Sequence, residues 1–174
     1  GMESGNAVAD LLCGNVNPCG KLTDTIARNY YDYPSSAQFG NKKANEYTED
    51  IFVGYRYFDS FDKKVMFPFG FGLSYTMFEM KCCSINMEES KIRAEVQVTN
   101  TGNEYAGKEV VQIYVTLPQT ELEKEYKRLA GFAKTRLLKP GETQTLTVEI
   151  PQKQLASFNE ETHTWIVEKG KYGI

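Results

Sequence analysis

Alternation of apolar and polar residues is the dominant pattern in the second half of the chain. It is clearest over residues 91–99, where every second position is apolar, namely Ile92, Ala94, Val96 and Val98. Because successive side chains of a strand point to opposite faces, this spacing is typical of an antiparallel strand with one buried face. A strand is therefore predicted here, with its apolar side turned to a core.

The same alternation predicts further strands on both sides of this one. Turn signals such as Pro140-Gly141 separate them, and a kink is expected at Gly131. The predicted strands occupy residues 78–87, 109–117, 128–138, 144–150, 162–167 and 171–174. Seven short strands of this kind predict an antiparallel β-sandwich. Its expected core includes Val96, Val98, Val111, Ile113, Leu146 and Val148, with Trp165 as a large aromatic plug.

The first 45 residues follow a different pattern. Residues 5–13 carry an apolar stripe at helical spacing, formed by Ala7, Val8, Leu11 and Leu12. A helix is predicted there, with Ser4 as its cap and Gly14 after its end. About nine residues are too few for a stable isolated helix, so it is expected to pack on another domain. Residues 23–45 sustain neither period and are predicted to form an extended arm.

Residues 46–77 are dense in aromatic side chains, and their tyrosine hydroxyls require hydrogen-bond partners. This segment is therefore expected to pack against other structure or a ligand. Arg56 is the one charged residue within its aromatic part, and it is expected to be a buried, hydrogen-bonded anchor. A sugar contact is the second interpretation. Tyr47, Tyr55 and Arg56 are the candidate substrate-binding residues.

Several separated motifs resemble one family, in one order. The stretches IFVGYRYF at 51–58 and FPFGFGLSYT at 67–76 are similar to the signature that joins the last catalytic-region domain of glycoside hydrolase family 3 β-glucosidases to their fibronectin type III-like domain. GNAVADLL at 5–12 resembles the end of the family's α/β sandwich domain. VTNTG at 98–102 and LKPGET at 138–143 resemble the terminal domain.

The resemblance implies a fold and a domain division. The expected fold is mainly β, a fibronectin type III-like, immunoglobulin-like antiparallel β-sandwich with a short N-terminal helix and an extended arm. Residues 1–45 would be the end of the preceding α/β domain, 46–77 an aromatic linker packed on the sandwich, and 78–174 the sandwich. Tyr30, Tyr31 and Tyr33 in the arm are interpreted first as rings that fix the arm in place, and second as a sugar-stacking patch.

Catalytic residues are not expected in this chain. Retaining glycosidases need a nucleophilic carboxylate and a carboxylic acid about 5 Å apart, and the resemblance implies that both belong to domains preceding the helix. Neither motif is present. The acidic residues beside the aromatic segment, Glu46, Glu49 and Asp50, are expected to be solvated or ion-paired loop charges.

Composition excludes several other classes. A net charge of −3 and the absence of a basic stripe give no reason to expect nucleic acid or an anionic membrane as partner. No apolar run is long enough to span a membrane, and no secretion signal is expected in the first residues. One histidine and four cysteines without a CxxC pair predict neither metal nor cofactor. A Cys13–Cys19 disulfide is one alternative, and free thiols, which favour a reducing cytoplasm, are the other.

Two functional classes therefore stay open. The first is the C-terminal accessory portion of a β-glucosidase-like hydrolase, which is not catalytic by itself and whose partners are the catalytic domains, with a homodimer through the arm as a further possibility. The second is a free-standing carbohydrate-binding or adhesion module, because β-sandwiches carry many functions. The apolar helix and the arm favour the first class.

Overall fold

All 174 residues are described in the computed structural model, which is mainly antiparallel β-structure. The two α-helices are α1, Ser4–Leu12, and α2, Tyr55–Ser60; 3₁₀ helices occupy Tyr30–Asp32, Pro34–Ala37 and Gln152–Leu155. The strands are β1 Ile26–Ala27, β2 Val65–Phe67, β3 Phe78–Met87, β4 Lys91–Asn100, β5 Val110–Thr116, β6 Lys127–Lys134, β7 Thr143–Pro151, β8 Ser157–Asn159 and β9 Thr164–Ile166. The expected fold class is confirmed. None of the helices has the length and apolar character needed to cross a lipid bilayer.

The chain divides into two compact units, each built from three segments. The first unit comprises Gly1–Lys21, Gly72–Gln112 and Gly131–Pro151; the second comprises Leu22–Phe71, Ile113–Ala130 and Gln152–Ile174. The boundaries fall inside β5 and β6, which pair with each other. Each unit is therefore assembled from residues that are far apart in the sequence.

The centre of the first unit is a three-stranded antiparallel sheet of order β3-β4-β7. Every second residue of β4 from Ile92 to Asn100 is buried, and Leu146, Val148 and Ile150 are buried on β7. The register places Val96 opposite Leu146, so the apolar residues of both strands lie on one face. The predicted alternation and its core residues on these strands are confirmed.

Asn100 fixes the turn that follows β4. Its side chain is fully buried, and its amide nitrogen donates to the carbonyl oxygens of Tyr105 and Leu138, both at 2.9 Å. Its carbonyl oxygen accepts from the Gly102 amide and the Thr76 hydroxyl. A Cβ on Gly102 would lie 2.0 Å from Thr76 Oγ1, so the residue at this position must be glycine.

Helix α1 is confirmed, but the expected cap is wrong. Ser4 is the first helical residue, its hydroxyl donates to the Gly1 carbonyl at 2.9 Å, and no side chain caps the helix. No residue of α1 is buried, and Val8 and Leu12 are 53% and 78% exposed. The apolar stripe of the helix is therefore largely exposed, and only Leu11 is half-buried.

The arm and the aromatic segment contain more structure than predicted. In the arm, the Asn29 side chain accepts from the Tyr31 amide and the Asp32 carboxylate accepts from the Asn29 amide, which starts a 3₁₀ helix. β1 pairs with β2 of the aromatic segment, and α2 buries Phe58. These elements have two to six residues, too few for a detectable period.

Three expectations about the last strands are wrong in detail. Trp165 is 71% exposed and is not a core plug, because the hairpin of β8 and β9 turns its ring outward. Leu155 and Ala156, just before this hairpin, are buried instead. β6 ends at Lys134, and the last predicted strand is reduced to a single bridge between Thr116 and Gly173.

Candidate functional site

A cleft of about 1000 Å³ lies within the second unit. Three parts of the chain line it: the residues around the start of α2, the connection between β5 and β6 with the start of β6, and the residues of the β8–β9 hairpin and those before it. The lining residues that carry charge or an aromatic ring are Asp50, Arg56, Glu121, Glu123, Glu125, Arg128, Lys153, Phe158, Glu160, Glu161 and Trp165.

Arg128 forms the base of this cleft and uses all five of its N–H donors. Its Nε and Nη2 donate to the two carboxylate oxygens of Glu125, at 2.6 and 3.1 Å. Nη1 donates to the carbonyl oxygens of Gln154 and Ala156, at 3.2 and 2.6 Å, and Nη2 also reaches Ser157 Oγ at 3.3 Å. The guanidinium thus holds the chain before β8 against the start of β6.

Glu125 is 1% exposed and stays ionised because of its partners. Burial alone would raise the pKa of its carboxyl group. The hydrogen bonds from Arg128 and from its own amide, together with the charges of Arg128 and Arg56, outweigh this and lower the pKa. Removing Arg128 would leave a buried carboxylate without its main partner.

Arg56 lies beside the same carboxylate, but it is not the buried anchor that was expected. Its Nε is 3.6 Å from Glu125 Oε1, and its side chain is 38% exposed. Arg128 occupies the buried position instead. Arg56 retains N–H donors that face the cleft without a hydrogen bond inside the chain.

The other two substrate-binding candidates do not line the cleft. The Tyr55 hydroxyl accepts from the Leu129 amide at 2.9 Å, and its ring packs on Phe69 and Tyr114 at centroid distances of 4.8 and 5.8 Å. Burial raises the pKa of the Tyr114 hydroxyl to about 12. Tyr47 is 86% exposed. Of the three candidates, only Arg56 therefore lines the cleft.

An aromatic pair stands at the border of the cleft. The rings of Phe158 and Trp165 are 5.5 Å apart in an edge-on arrangement, and both are exposed. Trp165 was missed as a site residue because it was interpreted as a core residue of the predicted strand 162–167, and Phe158 was not singled out at all. The one sequence signal that could have shown Trp165 to be exposed is the run of polar residues before it, Thr162, His163 and Thr164, which leaves room only for a short strand.

Five carboxylates line the same cleft as this pair. Asp50, Glu121, Glu123, Glu160 and Glu161 line the cleft and have no hydrogen bond or ion pair within the chain. Glu46 and Glu49 lie outside the lining. Such a cleft can bind a ring with hydroxyl groups: the carboxylates and the guanidinium can hydrogen-bond the hydroxyls, and the aromatic rings can pack on the apolar face of the ring.

The arm tyrosines and the cysteines lie outside the cleft. Tyr33 donates to the Thr25 carbonyl at 3.2 Å and accepts from the Ala27 amide, which agrees with a ring that fixes the arm. Tyr31 is 81% exposed. All four cysteines are free thiols, so Cys13 and Cys19 are not bonded to each other.

Two family models match the chain, one after the other. Residues 1–75 match the glycosyl hydrolase family 3 C-terminal domain, and residues 109–174 match the fibronectin type III-like domain. Both matches agree with the resemblance of the sequence motifs, which is thereby confirmed.

Curated relatives are similar over nearly all of this chain. A β-glucosidase of Ruminococcus albus is 46% identical over 178 aligned residues, which cover 99% of this chain and 19% of the relative. A β-glucosidase of Kluyveromyces marxianus is 44% identical, covering 99% of this chain and 20% of the relative. The chain thus spans about a fifth of the length of the curated relatives it matches.

Solved structures agree with these matches. A β-glucosidase from Paenibacillus barengoltzii superposes with a TM-score of 0.92 at 48% identity, covering 97% of this chain and 19% of that one. β-Glucosidase 3B from Thermotoga neapolitana, in complex with α-D-glucose, gives a TM-score of 0.90 at 44% identity, covering 98% and 24%. The chain therefore belongs to the C-terminal region of family 3 glycosyl hydrolases and carries their fibronectin type III-like domain.

Proposed function

We propose that this chain serves as the C-terminal accessory portion of a β-glucosidase-like hydrolase and does not hydrolyse glucosides by itself. The observation that carries the proposal is the order of the two family matches in a chain that aligns along its whole length with about a fifth of each β-glucosidase. The proposed domain division assigns residues 1–45 to the preceding α/β domain, 46–77 to the aromatic linker and 78–174 to the β-sandwich.

The proposed partners are the catalytic domains of such a hydrolase. Apolar side chains of the first 45 residues support this, because a surface of this kind usually faces another domain. The most exposed of them are Met2, Val8, Leu12, Val16, Tyr30, Tyr31 and Phe39. In the chain by itself, the same residues would bring two copies together through the arm. Sedimentation at micromolar concentration should show a dimer, and a strictly monomeric chain would contradict this part of the proposal.

An activity assay of the chain alone tests the absence of catalysis. We expect no hydrolysis of an aryl β-glucoside above background, because the family's nucleophile and acid motifs are missing. Turnover that disappears in Glu46→Gln or Asp50→Asn would overturn the proposal, since these are two of the three acidic residues at the start of the aromatic segment. Thr145→Asn, on the exposed face of β7, is a control that should change nothing.

A carbohydrate-binding module is the second candidate function. The exposed rings of Phe158 and Trp165 beside a cleft with unpaired carboxylates favour it. Arg56 supports a substrate-contacting role because it lines that cleft. Tyr47 and Tyr55 remain predictions as substrate contacts, because neither lines it.

A further inference from the structure

We propose that the cleft of the second unit is a subsite for a neutral gluco-oligosaccharide, bound by stacking on Trp165 and Phe158 and by hydrogen bonds to Arg56 and the surrounding carboxylates. The identity of the sugar rests on the proposed function, because the relatives are β-glucosidases. The existence of the subsite rests on the geometry of the cleft alone.

The aromatic pair is the first argument. Trp165 is the only tryptophan of the chain, and it lies 71% exposed on a hairpin whose strands have three residues each. A large ring left in solvent beside a cleft offers a flat apolar face, and a pyranose ring presents C–H groups that pack on such a face. Phe158, at 44% exposure, extends this surface into the cleft.

The polar groups of the cleft are the second argument. Asp50, Glu121 and Glu160 have no partner within the chain, so their oxygens can accept hydrogen bonds from sugar hydroxyls. Arg56 has N–H groups that can donate to the same hydroxyls. Acceptors on all three walls, with the Arg56 donors on one of them, suit hydroxyl groups, which both donate and accept.

Arg128 supplies the rigidity that a binding site needs. All its donors are used inside the protein, so it is a positioning residue and does not contact the sugar. Its bonds to the Gln154 and Ala156 carbonyls and to Ser157 fix the backbone immediately before Phe158. One wall of the subsite is therefore held before any ligand arrives.

The charge of the lining, with six acidic and three basic residues, does not select the ligand, whereas the flat faces of the aromatic pair favour a sugar ring. Glu125 is neutralised by Arg128 and Arg56, and Lys153 adds a further positive charge to the lining. The remaining carboxylates still give the cleft an acidic character, so a lysine-rich peptide is the competing occupant. Binding of such a peptide would weaken strongly with salt, whereas binding of a neutral sugar would not. A cleft of about 1000 Å³ can hold several pyranose units.

Isothermal titration of the full chain with cellotetraose, at low and high salt, tests the proposal. We expect binding that is insensitive to salt, about tenfold or more weaker in Trp165→Ala, and largely retained in Trp165→Phe. Phe132→Ala is the matched control, because Phe132 is 69% exposed and does not line the cleft. Because Trp165 is exposed, its variants should melt like the unmodified chain, and circular dichroism checks this.

Three results would overturn the subsite. They are no heat at millimolar cellotetraose, equal affinity in Trp165→Ala and the unmodified chain, or binding of tetralysine in place of the sugar. None of these results bears on the accessory role, which is tested by hydrolysis assays. The binding experiment can therefore disprove the subsite without disproving the accessory role, and the hydrolysis assays can disprove the accessory role without disproving the subsite.

Discussion

The sheet of the first unit and the ion-paired cluster of the second are stabilised in opposite ways. In the sheet, Val98 and Ile150 are fully buried among other apolar side chains and contribute through area removed from water. In the cluster, Glu125 is equally inaccessible, but it is charged and depends on Arg128 and Arg56. A change in an apolar core costs stability in proportion to the area or volume altered, whereas a buried charge is destabilising as soon as one partner is removed.

This difference determines what each region does when one residue is changed. In the sheet, the loss of unfolding free energy should grow with the polarity or volume that a substitution introduces on the buried face. In the cluster, removal of a single hydrogen-bonding partner should lower the unfolding free energy strongly, even where the side-chain volume changes little. The variants below are ordered by the size of the expected effect.

Val98→Asp should prevent folding of the first unit. An unpaired charge in the core costs several kcal/mol, which is comparable to the total stability of about 5 to 15 kcal/mol of an ordinary domain. Circular dichroism and urea unfolding measure the effect. Thr145→Asp is the control, since it introduces the same side chain on the exposed face of β7. Equal stability of the two variants would contradict the assigned burial.

Arg128→Ala should destabilise the chain by about 3 to 5 kcal/mol, because it leaves the Glu125 carboxylate buried without its main partner. Arg136→Ala is the matched control. Arg136 also pairs with a glutamate, Glu142 at 2.8 Å, but both side chains are exposed. Such a surface pair is worth about 0 to 1 kcal/mol. Similar losses in urea unfolding of the two variants would mean that the Glu125 pair is not buried.

Gly131→Ala should cost about 1 to 3 kcal/mol through overpacking. The added Cβ would lie 2.7 Å from Val148 Cγ1 and 3.2 Å from Ile150 Cγ1, within the first unit. Gly20→Ala is the control, because a Cβ there meets no atom within 4 Å. If both variants unfold at the same urea concentration, Gly131 of β6 does not pack against Val148 and Ile150 of β7 as closely as the structure shows.

The pH dependence of stability should differ between the unmodified chain and Arg128→Ala. The pKa of Glu125 is lowered from its ordinary value of 4.5 in the folded chain, so its ion pair stabilises above that value and is lost as pH falls through the folded pKa. In Arg128→Ala, burial without the guanidinium raises the pKa, and the sign reverses. The difference in unfolding free energy between the unmodified chain and Arg128→Ala, measured by urea titration, should therefore decrease from pH 7 to pH 4. A difference that stays constant over this range would contradict the assigned pairing of Glu125.

The sequence predicted the first region much better than the second. Period-two alternation identified β4, β5 and β7 and their buried residues, because one face of each strand is packed and the other is solvated. The same rule misplaced Trp165, because a three-residue hairpin strand is too short for alternation to decide which side is covered. The aromatic segment predicted Arg56 as the buried, hydrogen-bonded arginine, whereas the arginine that uses all its N–H donors inside the chain is Arg128.

The reason for this second error is physical. Which of two arginines reaches a buried carboxylate depends on contacts between segments more than 60 residues apart, such as Tyr55 with Leu129 or Ser60 with Tyr126. Neither spacing nor composition carries that information. The cleft was missed for the same reason, since its walls come from three separated parts of the chain.

A chimeric enzyme tests the accessory role most directly. The chain would replace the corresponding C-terminal part of the Kluyveromyces marxianus β-glucosidase, to which it is 44% identical. Hydrolysis of an aryl β-glucoside would be compared among the chimera, the intact relative and the relative lacking that part. The account predicts that the chimera is active and that the truncated relative is not. A chimera that folds but is inactive, or a truncated relative with full activity, would contradict it.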